Sequence, residues 1–325
     1  MNYDINICSV SLFNADHIRI NMNLVQFLNI GVNVKWIITE NIADNQRKID
    51  PSNKDLILLK GTHVNEIGAA ALQHSIALNK TLKYIDSRFI LIIDPDFYIV
   101  KKNWISKIIK HMENKELAMF GVPWHPKWYF KYRSFPCSHC LFIDTNKIKL
   151  DEIDFRPTNI VWDNPEYVFS KTISGINRKI PLYNHIKNSL NFYIYHRRKI
   201  GFDGDTTSRI YLKFKHLEAI ECAVPVFYPD RDWYIPISYN LNRYIEKVLP
   251  DRLSYIHSSN IKWIEKGFIN NNNLIFNWEE FFWENEPLGF HVRGFPKRKS
   301  GNKEFQKEID GIEKTLTQLT GITFN

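Results

Sequence analysis

The sequence contains few cysteines and no long apolar run. Only 4 of its 325 residues are cysteine, which is too few for a disulfide-stapled scaffold of this size. The best candidate for a membrane segment, residues 89–93, meets Asp94 at once, far short of the roughly 20 residues of a spanning helix. The first ten residues lack a basic region followed by an apolar one, so no signal peptide is expected. We therefore expect a cytoplasmic location, with peripheral contact at the inner face of the membrane as the alternative.

Several nucleotide and metal signatures are also absent. The sequence contains no G-x-x-x-x-G-K-[ST], no G-x-G-x-x-G and no H-E-x-x-H, so P-loop ATPases, Rossmann dehydrogenases and zincin proteases find no support. Cys137 and Cys140 flank Ser-His as one half of a zinc site would. A structural zinc usually takes two such pairs, and no second pair exists. We interpret these cysteines as buried thiols.

Positive charge and aromatic rings are abundant. Lys and Arg number 43 against 35 for Asp and Glu, a formal net charge of +8. This favours an anionic partner, whether nucleic acid, a phosphorylated small molecule or a membrane surface. The positive excess is concentrated in residues 61–150. Aromatic clusters at 124–135 and 278–290 suit stacking on sugars or bases, with ordinary core packing as the alternative.

Strands and helices alternate over the first 122 residues. Apolar-rich runs predict strands at 5–12, 32–39, 55–59, 88–93 and 117–122. Helical spacing of apolar residues follows Asn14 and recurs at 66–85 and 103–112. The alternation predicts an α/β fold with a mixed, mainly parallel sheet flanked by helices on both faces. Ligands bind such sheets at the carboxyl ends of the strands.

The second half of the chain is less periodic. It predicts a strand at 140–144, a helix starting within 203–214 and a strand at 219–227, in which Pro225 restricts pairing to a sheet edge. Residues 304–319 form an amphipathic helix with a small negative charge. A helix lying on a membrane surface is more usually basic. We therefore expect this helix to dock on the body or to mediate homo-oligomerisation.

The strongest local signal is Asp94-Pro95-Asp96, which follows the strand predicted at 88–93. Two carboxylates at a strand end can hold a hard divalent cation together with phosphate oxygens. Mg²⁺ or Mn²⁺ there would offset the charge of a diphosphate leaving group. In the alternative interpretation, Asp94 caps the next helix and Asp96 is merely solvated.

Residues 73–82 followed by 89–97 resemble the nucleotide-binding half of GT-A fold glycosyltransferases, most of all the family-2-type enzymes. In these enzymes a strand, a helix and a second strand are followed by a helix with an Ala-x-Asn signature, a further strand and Asp-x-Asp. Residues 5–122 match this order. The resemblance implies that Asp96 binds the metal and that Asp94 contacts the ribose or sugar and is a further candidate ligand. The rest of the chain, to about residue 300, extends the resemblance more weakly.

The same resemblance implies further contacts with the donor nucleotide. Family members contact the base at the ends of the first two strands, where this chain has Ser11 and Glu40. His74, on the helix before the Asp-x-Asp strand, is a third candidate. A packed helix histidine is the alternative interpretation of His74.

Residues 201–212 look like the acidic motif of the family's acceptor site. The family has Glu-Asp-x-Asp with an Arg four residues on; Phe202 replaces the Glu, while Asp203, Asp205 and Arg209 keep the spacing. Inverting transfer needs a carboxylate that takes the proton of the acceptor hydroxyl. The resemblance aligns Asp203 with that base, and Asp205 is the alternative base or a helix cap.

A late histidine with cationic neighbours is the last candidate feature. Many GT-A enzymes use such a histidine as a metal ligand and a basic loop over the diphosphate. His291, followed by Arg293 and Lys297, fits this pattern, because imidazole suits Mn²⁺ and guanidinium forks suit phosphate. His257 is the competing ligand, and a turn histidine beside a solvated basic loop is the alternative interpretation.

Together these features predict a metal-dependent, inverting glycosyltransferase of surface polysaccharide synthesis. The donor would be a nucleotide diphosphate sugar, the acceptor a glycan or lipid-linked sugar, and the cofactor Mn²⁺ or Mg²⁺. Residues 1–122 would bind the nucleotide sugar, 123–300 would complete the same domain with the acceptor and catalytic residues, and 301–325 would form the terminal helix.

Two other classes are weaker alternatives. A nucleotidyltransferase usually has a glycine-rich loop after its first strand, and residues 10–14 contain no glycine. A basic nucleic-acid-binding protein would explain the charge, but no recognition signature is present. We therefore expect no nucleic-acid partner.

Overall fold

The computed structural model describes residues 3–44, 46–63, 70–126, 134–157, 206–233, 262–269, 274, 277–293 and 303–324. The helices are α1 (Ala15–Leu28), α2 (Ala70–Thr81), α3 (Trp104–Asn114), α4 (Ser208–Phe214), α5 (Pro229–Asp232) and α6 (Lys303–Thr320). One sheet contains β1 (Ile5–Ser11), β2 (Val34–Ile42), β3 (Leu56–His63), β4 (Phe89–Ile93), β6 (Met119–Gly121), β7 (Cys140–Asp144) and β8 (Ile220–Cys222). A smaller sheet contains β5 (Phe97–Ile99), β9 (Val224–Pro225), β10 (Asn277–Trp283) and β11 (Glu286–Arg293).

The larger sheet has the strand order β3-β2-β1-β4-β7-β6-β8. Neighbouring strands are parallel from β3 to β4 and again between β6 and β8, while β7 runs antiparallel to both β4 and β6. The predicted fold class, a mixed and mainly parallel sheet in an α/β fold, is confirmed. Since β1, β2 and β4 are parallel, their carboxyl ends meet at one edge.

Two hydrophobic cores cover the two faces of this sheet. Along β4, Leu91 and Ile93 belong to the core shared with α1, α3 and α6, whereas Ile90 and Ile92 belong to the core shared with α2 and α4. This alternation follows from the period of two in a strand. Complete burial of each such side chain contributes about 1.5–3 kcal/mol, so both cores hold the β4 end in place.

The smaller sheet has the order β5-β11-β10-β9. Strands β10 and β11 form a hairpin whose connecting residues, Glu284 and Asn285, both have positive φ, as a two-residue type I′ turn requires. The aromatic cluster at 278–290 therefore belongs to a hairpin that packs into the core. Pro225 lies on the edge strand β9, which confirms its predicted position.

Some predicted element boundaries differ from those observed. Helix α2 ends at Thr81, and a 3₁₀ turn, Leu82–Tyr84, replaces the rest of the helix predicted to residue 85. The strand predicted at 219–227 is divided between β8 and β9, which belong to different sheets. Between them, the Ala223 amide donates to the Gly121 carbonyl at 2.8 Å, so the chain crosses from one sheet to the other there.

The terminal helix α6 docks on α1, one of the two roles expected for it. Ile309, Ile312 and Leu316 are buried in the same core as the apolar face of α1. At the rim, Arg19 pairs with Glu313 at 2.6 Å. Homo-oligomerisation stays a prediction. Among the described helices, none combines the length and apolar character needed to cross a membrane.

Candidate functional site

The pairing of β5 with β11 brings two predicted metal ligands together. His291 lies opposite Phe97 in the antiparallel register, and the Val292 amide donates to the Asp96 carbonyl at 3.0 Å. As a result, His291 Nε2 is 3.2 Å from Asp96 Oδ1, although the two residues are 195 positions apart in sequence. His291 therefore lies beside Asp96. His257, the competing candidate ligand, lies outside the described residues.

The Asp-Pro-Asp turn is fixed by hydrogen bonds to its backbone. Asn21 Nδ2 donates to the Pro95 carbonyl at 2.7 Å, and the Asp94 amide donates to the His139 carbonyl at 3.1 Å. The alternative interpretation, in which Asp94 caps the next helix, is wrong because Asn103 occupies the N-cap position of α3. Both carboxylates are partly buried, so neither is a freely solvated surface group.

His139 is a site residue that sequence reasoning missed. It precedes β7, whose antiparallel pairing with β4 places Cys140 opposite Ile93. His139 Nε2 is 3.6 Å from Asp94 Oδ2, and the His139 and His291 rings are 4.3 Å apart. Asp94, His139 and His291 each offer a ligand atom, and these atoms all lie within 4.8 Å of one another. This is the one such group found among the described residues.

The sequence signal for His139 is the Cys137-Ser-His-Cys140 segment, whose cysteine spacing draws attention to the thiols and not to the histidine. Cys137 and Cys140 are predicted to be buried thiols, and in the structure both are buried and form no disulfide. Only the register of β7 against β4 shows that His139 reaches the Asp94 carboxylate.

A second buried carboxylate, Glu279, organises the cationic side of the site. Its Oε2 accepts a hydrogen bond from Arg293 Nε at 2.8 Å and lies 3.6 Å from His291 Nδ1. The Arg293 guanidinium packs 4.6 Å from the centre of the Trp124 ring, and its Nη2 lies 3.0 Å from His139 Nε2. Arg293, a predicted diphosphate contact, therefore faces the same group of ligand atoms.

Charge and burial act differently on the two histidines. Burial lowers the pKa of His139 well below its ordinary value, and the positive charges of Arg293 and His291 add to this effect. Burial and Arg293 also oppose protonation of His291, but Asp96 and Glu279 outweigh them and raise its pKa. Burial raises the pKa of Asp94, and the opposing charge of His74 does not cancel that effect. These surroundings therefore favour the neutral form of His139.

His74 connects Asp94 to the beginning of α4. Its Nε2 lies 3.5 Å from Asp94 Oδ1, and its Nδ1 lies 3.4 Å from Thr206 Oγ1. About a quarter of the His74 side chain is exposed. His74 thus lies at the predicted site, in contact with one of its carboxylates.

Ser11 and Glu40 are neighbours at the carboxyl ends of β1 and β2. The parallel register pairs them directly, and both are buried. The Glu40 carboxylate accepts from the Ile49 amide at 3.3 Å and lies 3.8 Å from Lys48 Nζ. They occupy the predicted edge of the sheet, although Glu40 already has local partners.

Asp203, Asp205 and Lys297, three of the predicted site residues, lie outside the described residues. Arg209 is described, and its Nη1 contacts Asp154 Oδ2 at 2.9 Å. Asp154 also accepts from Asn79 Nδ2 at 2.8 Å, where Asn79 belongs to the Ala-x-Asn signature of α2. Asp154 thereby ties the helix that follows the acidic motif to α2.

Acidification should remove the stabilisation that Asp154 provides. Partial burial alone would raise the pKa of Asp154, but hydrogen bonds from Arg156 and Asn79 outweigh it and hold the pKa well below its usual range. A pKa lower in the folded than in the unfolded chain stabilises the fold above the unfolded value and loses this effect as pH falls. The melting temperature of wild type should exceed that of Asp154→Asn at neutral pH, with the difference shrinking below about pH 4.

The control for this experiment is Asp151→Asn, which changes an exposed carboxyl in the same segment. Its melting temperature should match that of wild type at every pH of the series. A gap between wild type and Asp154→Asn that stays constant down to about pH 2 would contradict the assignment, because the stabilisation would not then depend on the ionised carboxylate.

Comparisons with known proteins give only weak similarities. No protein-family model matches the chain, and no curated protein is significantly similar to it. Among solved structures, it is similar to LgtC, a galactosyltransferase in complex with donor and acceptor sugar analogues, at 11% identity and a TM-score of 0.41, covering 98% of this chain and 96% of LgtC. The mannosyltransferase PcManGT from Pyrobaculum calidifontis, in complex with GDP-Man and Mn²⁺, gives 10% identity, a TM-score of 0.37 and coverages of 79% and 85%.

A fragment of S. aureus TarS is similar at 13% identity and a TM-score of 0.34 over 48% of this chain. The match spans only half of that fragment. Scores of this size do not assign a substrate or an activity to the chain.

Proposed function

We propose that this protein is a metal-dependent glycosyltransferase. It would move a sugar, with inversion, from a nucleotide diphosphate donor to a hydroxyl of a glycan or lipid-linked acceptor in surface polysaccharide synthesis. The observation that carries the proposal is the convergence of Asp94, Asp96 and His291 at the carboxyl edge of the sheet. Each of these three residues is also a candidate ligand on the basis of the sequence motifs.

The residues present fit a divalent metal. Carboxylate oxygens and a histidine nitrogen within a few ångströms of one another form a donor set for Mn²⁺ or Mg²⁺. We assign Asp96 and His291 as ligands, with Asp94 as a further ligand or a contact to the sugar. When bound, the metal would offset the negative charge of the departing diphosphate.

The positive groups around these ligands suit the same donor. Arg293 presents a guanidinium to the site and is oriented by the buried Glu279. Planar guanidinium groups bind phosphate oxygens in bidentate fashion. Lys297 would extend this positive surface, while Ser11 and Glu40 would contact the nucleotide base at the ends of β1 and β2.

The acceptor would be activated from the beginning of α4. His74 links Asp94 to Thr206, and Asp154 links α2 to Arg209. These contacts hold the residues directly after the acidic motif close to the proposed donor site. We propose Asp203 as the general base that takes the hydroxyl proton, with Asp205 as the alternative.

A thermal-shift screen tests the proposal. UDP-, GDP-, dTDP- and CMP-sugars would each be added with and without Mn²⁺. A ligand at 100 times its dissociation constant stabilises the native state by about 2.7 kcal/mol. One class of donor should therefore raise the melting temperature by several degrees, and more strongly with Mn²⁺.

The matching nucleoside, which lacks the diphosphate, is the control and should give a much smaller shift. The proposal fails if no nucleotide sugar stabilises the protein. Oligonucleotide binding with a steep salt dependence would then support the nucleic-acid alternative, and pyrophosphate release from a nucleoside triphosphate would support a nucleotidyltransferase.

A further inference from the structure

We propose that His139 is a metal ligand alongside His291 and the Asp-Pro-Asp carboxylates, and that this nitrogen-rich site prefers a first-row transition ion such as Mn²⁺ to Mg²⁺. The inference deepens the proposed function and rests on it for the role of the ion. The arrangement of the side chains is an independent observation. It adds a ligand from β7 to those that the sequence motifs indicate.

The backbone fixes the position of His139. Its carbonyl accepts the hydrogen bond of the Asp94 amide at 3.1 Å, next to the pairing of Cys140 with Ile93. The side chain is almost fully buried and packs edge-on against the Trp124 ring, with centres 4.3 Å apart. His139 therefore reaches the site from a strand end that is paired directly with the Asp94 strand.

The orientation of the His139 ring presents Nε2 to the carboxylates. Its Nδ1 lies 2.9 Å from Cys137 Sγ. With the proton on Nδ1, Nε2 keeps a lone pair, and Nε2 lies 3.6 Å from Asp94 Oδ2. Metal-binding histidines commonly use their second ring nitrogen in this way, because the contact fixes the tautomer and the ring orientation.

The distances between the ligand atoms fit one ion. Two atoms each about 2.1 Å from a metal lie about 3.0 Å apart at a right angle and about 3.4 Å apart at a tetrahedral angle. His291 Nε2 and Asp96 Oδ1 are 3.2 Å apart, and His139 Nε2 and Asp94 Oδ2 are 3.6 Å apart. The ligand atoms of Asp94, His139 and His291 lie within 4.8 Å of one another, and His291 in turn contacts Asp96.

Arg293 has to share His139 with the ion. Arg293 Nη2 lies 3.0 Å from the same Nε2 that would bind metal. Arg293 Nη2 also lies 3.3 Å from His139 Nδ1, so it is beside the ring and not in line with the Nε2 lone pair. A metal bound at Nε2 would therefore place a second positive charge close to the Arg293 guanidinium.

The donor atoms determine the choice of ion. Mg²⁺ prefers oxygen ligands and retains several waters, whereas imidazole nitrogen suits transition ions. A second imidazole increases this difference. In wild type, Mn²⁺ should therefore bind more than about tenfold tighter than Mg²⁺, and Mg²⁺ should be a poor competitor.

Mn²⁺ titration by calorimetry, without any nucleotide, tests the role of His139. His139→Gln should weaken Mn²⁺ binding at least about tenfold, as loss of a ligand or its supporting shell typically does. It should also reduce the ratio of Mn²⁺ affinity to Mg²⁺ affinity. His125→Gln is the matched control, since His125 is equally buried but directs its Nε2 to the Val226 carbonyl at 2.8 Å. Equal Mn²⁺ affinity in wild type and a folded His139→Gln would overturn the inference.

Pulsed EPR of Mn²⁺ bound to wild type gives a test that does not depend on a variant folding. Nitrogen couplings from two imidazoles are expected, and couplings from one or none would refute the role of His139. The outcome also separates the two proposals. Two-nitrogen Mn²⁺ binding without stabilisation by any nucleotide sugar supports the metal site and refutes the glycosyltransferase. Nucleotide-sugar binding with a single coupled nitrogen supports the glycosyltransferase and refutes the role of His139.

Discussion

Replacing Asp96 with asparagine is expected to lower kcat/KM for sugar transfer by a factor of about 100 to 1,000. Removing one group that stabilises charge in a transition state typically has an effect of this size. Asp96 is proposed both to hold the metal and to lie against His291, so its carboxylate has no ready substitute. The measurement is initial-rate kinetics with saturating Mn²⁺ and the donor found by thermal shift.

Asp86→Asn is the control for this experiment. Asp86 is a half-exposed carboxylate that pairs with Lys35 and accepts a hydrogen bond from Asn6. It precedes β4, at the end of the strand opposite the Asp-Pro-Asp turn, so its loss should leave kcat/KM close to that of wild type. A folded Asp96→Asn variant that retains full transfer with Mn²⁺ would contradict the metal-dependent mechanism. Comparing melting temperatures of the variants separates a loss of fold from a loss of catalysis.

Replacing Asp203 with asparagine is expected to reduce kcat by a factor of about 100 to 10,000, the usual contribution of a general base. Donor binding should persist, because Asp203 is proposed to act on the acceptor hydroxyl. The thermal shift produced by the donor should therefore match that of wild type. Single-turnover transfer to an acceptor measures the chemical step directly.

The matched variant is Asp205→Asn, which changes the same side chain two residues later in the same motif. It should have the smaller effect on kcat. A larger fall in Asp205→Asn than in Asp203→Asn would assign the base to Asp205. Near-normal transfer by both variants would refute an inverting mechanism that uses either carboxylate.

The sequence predicted the Asp-Pro-Asp end of the site because its signal is local. Residues 89–93 are apolar without interruption, as expected for a strand buried on both faces, and the acidic turn follows directly. The order of strands and helices in the first 122 residues was predictable for the same reason. Each element there carries its own period of apolar residues.

The hairpin of β10 and β11 was not predictable in this way. Residues on both faces of β10 are buried, including Glu279 and Glu280. The sequence of this strand therefore does not alternate between apolar and polar residues. Strand β5 is only three residues long. The proximity of His291 to Asp96 depends on the pairing of these distant segments, and family resemblance alone indicated it.

His139 is a second residue whose place at the site could not be predicted from the sequence. Its segment stands out in the sequence for two cysteines, which in the structure are buried and form no disulfide. What places His139 at the site is the antiparallel insertion of β7 between β4 and β6. A single sequence does not specify which strand of a sheet lies beside which, so this contact required the structure.

The docking of α6 on α1 has a consequence for the order in which the protein folds. Arg19 and Glu313, which pair across these helices, are 294 residues apart. At roughly 5–20 residues per second of synthesis, α6 emerges from the ribosome some 15–60 s after α1. During that interval the apolar side of the first helix has no native partner from the last one. Until α6 is made, the part of α1 that packs against it is an exposed apolar surface at which aggregation or chaperone capture can begin.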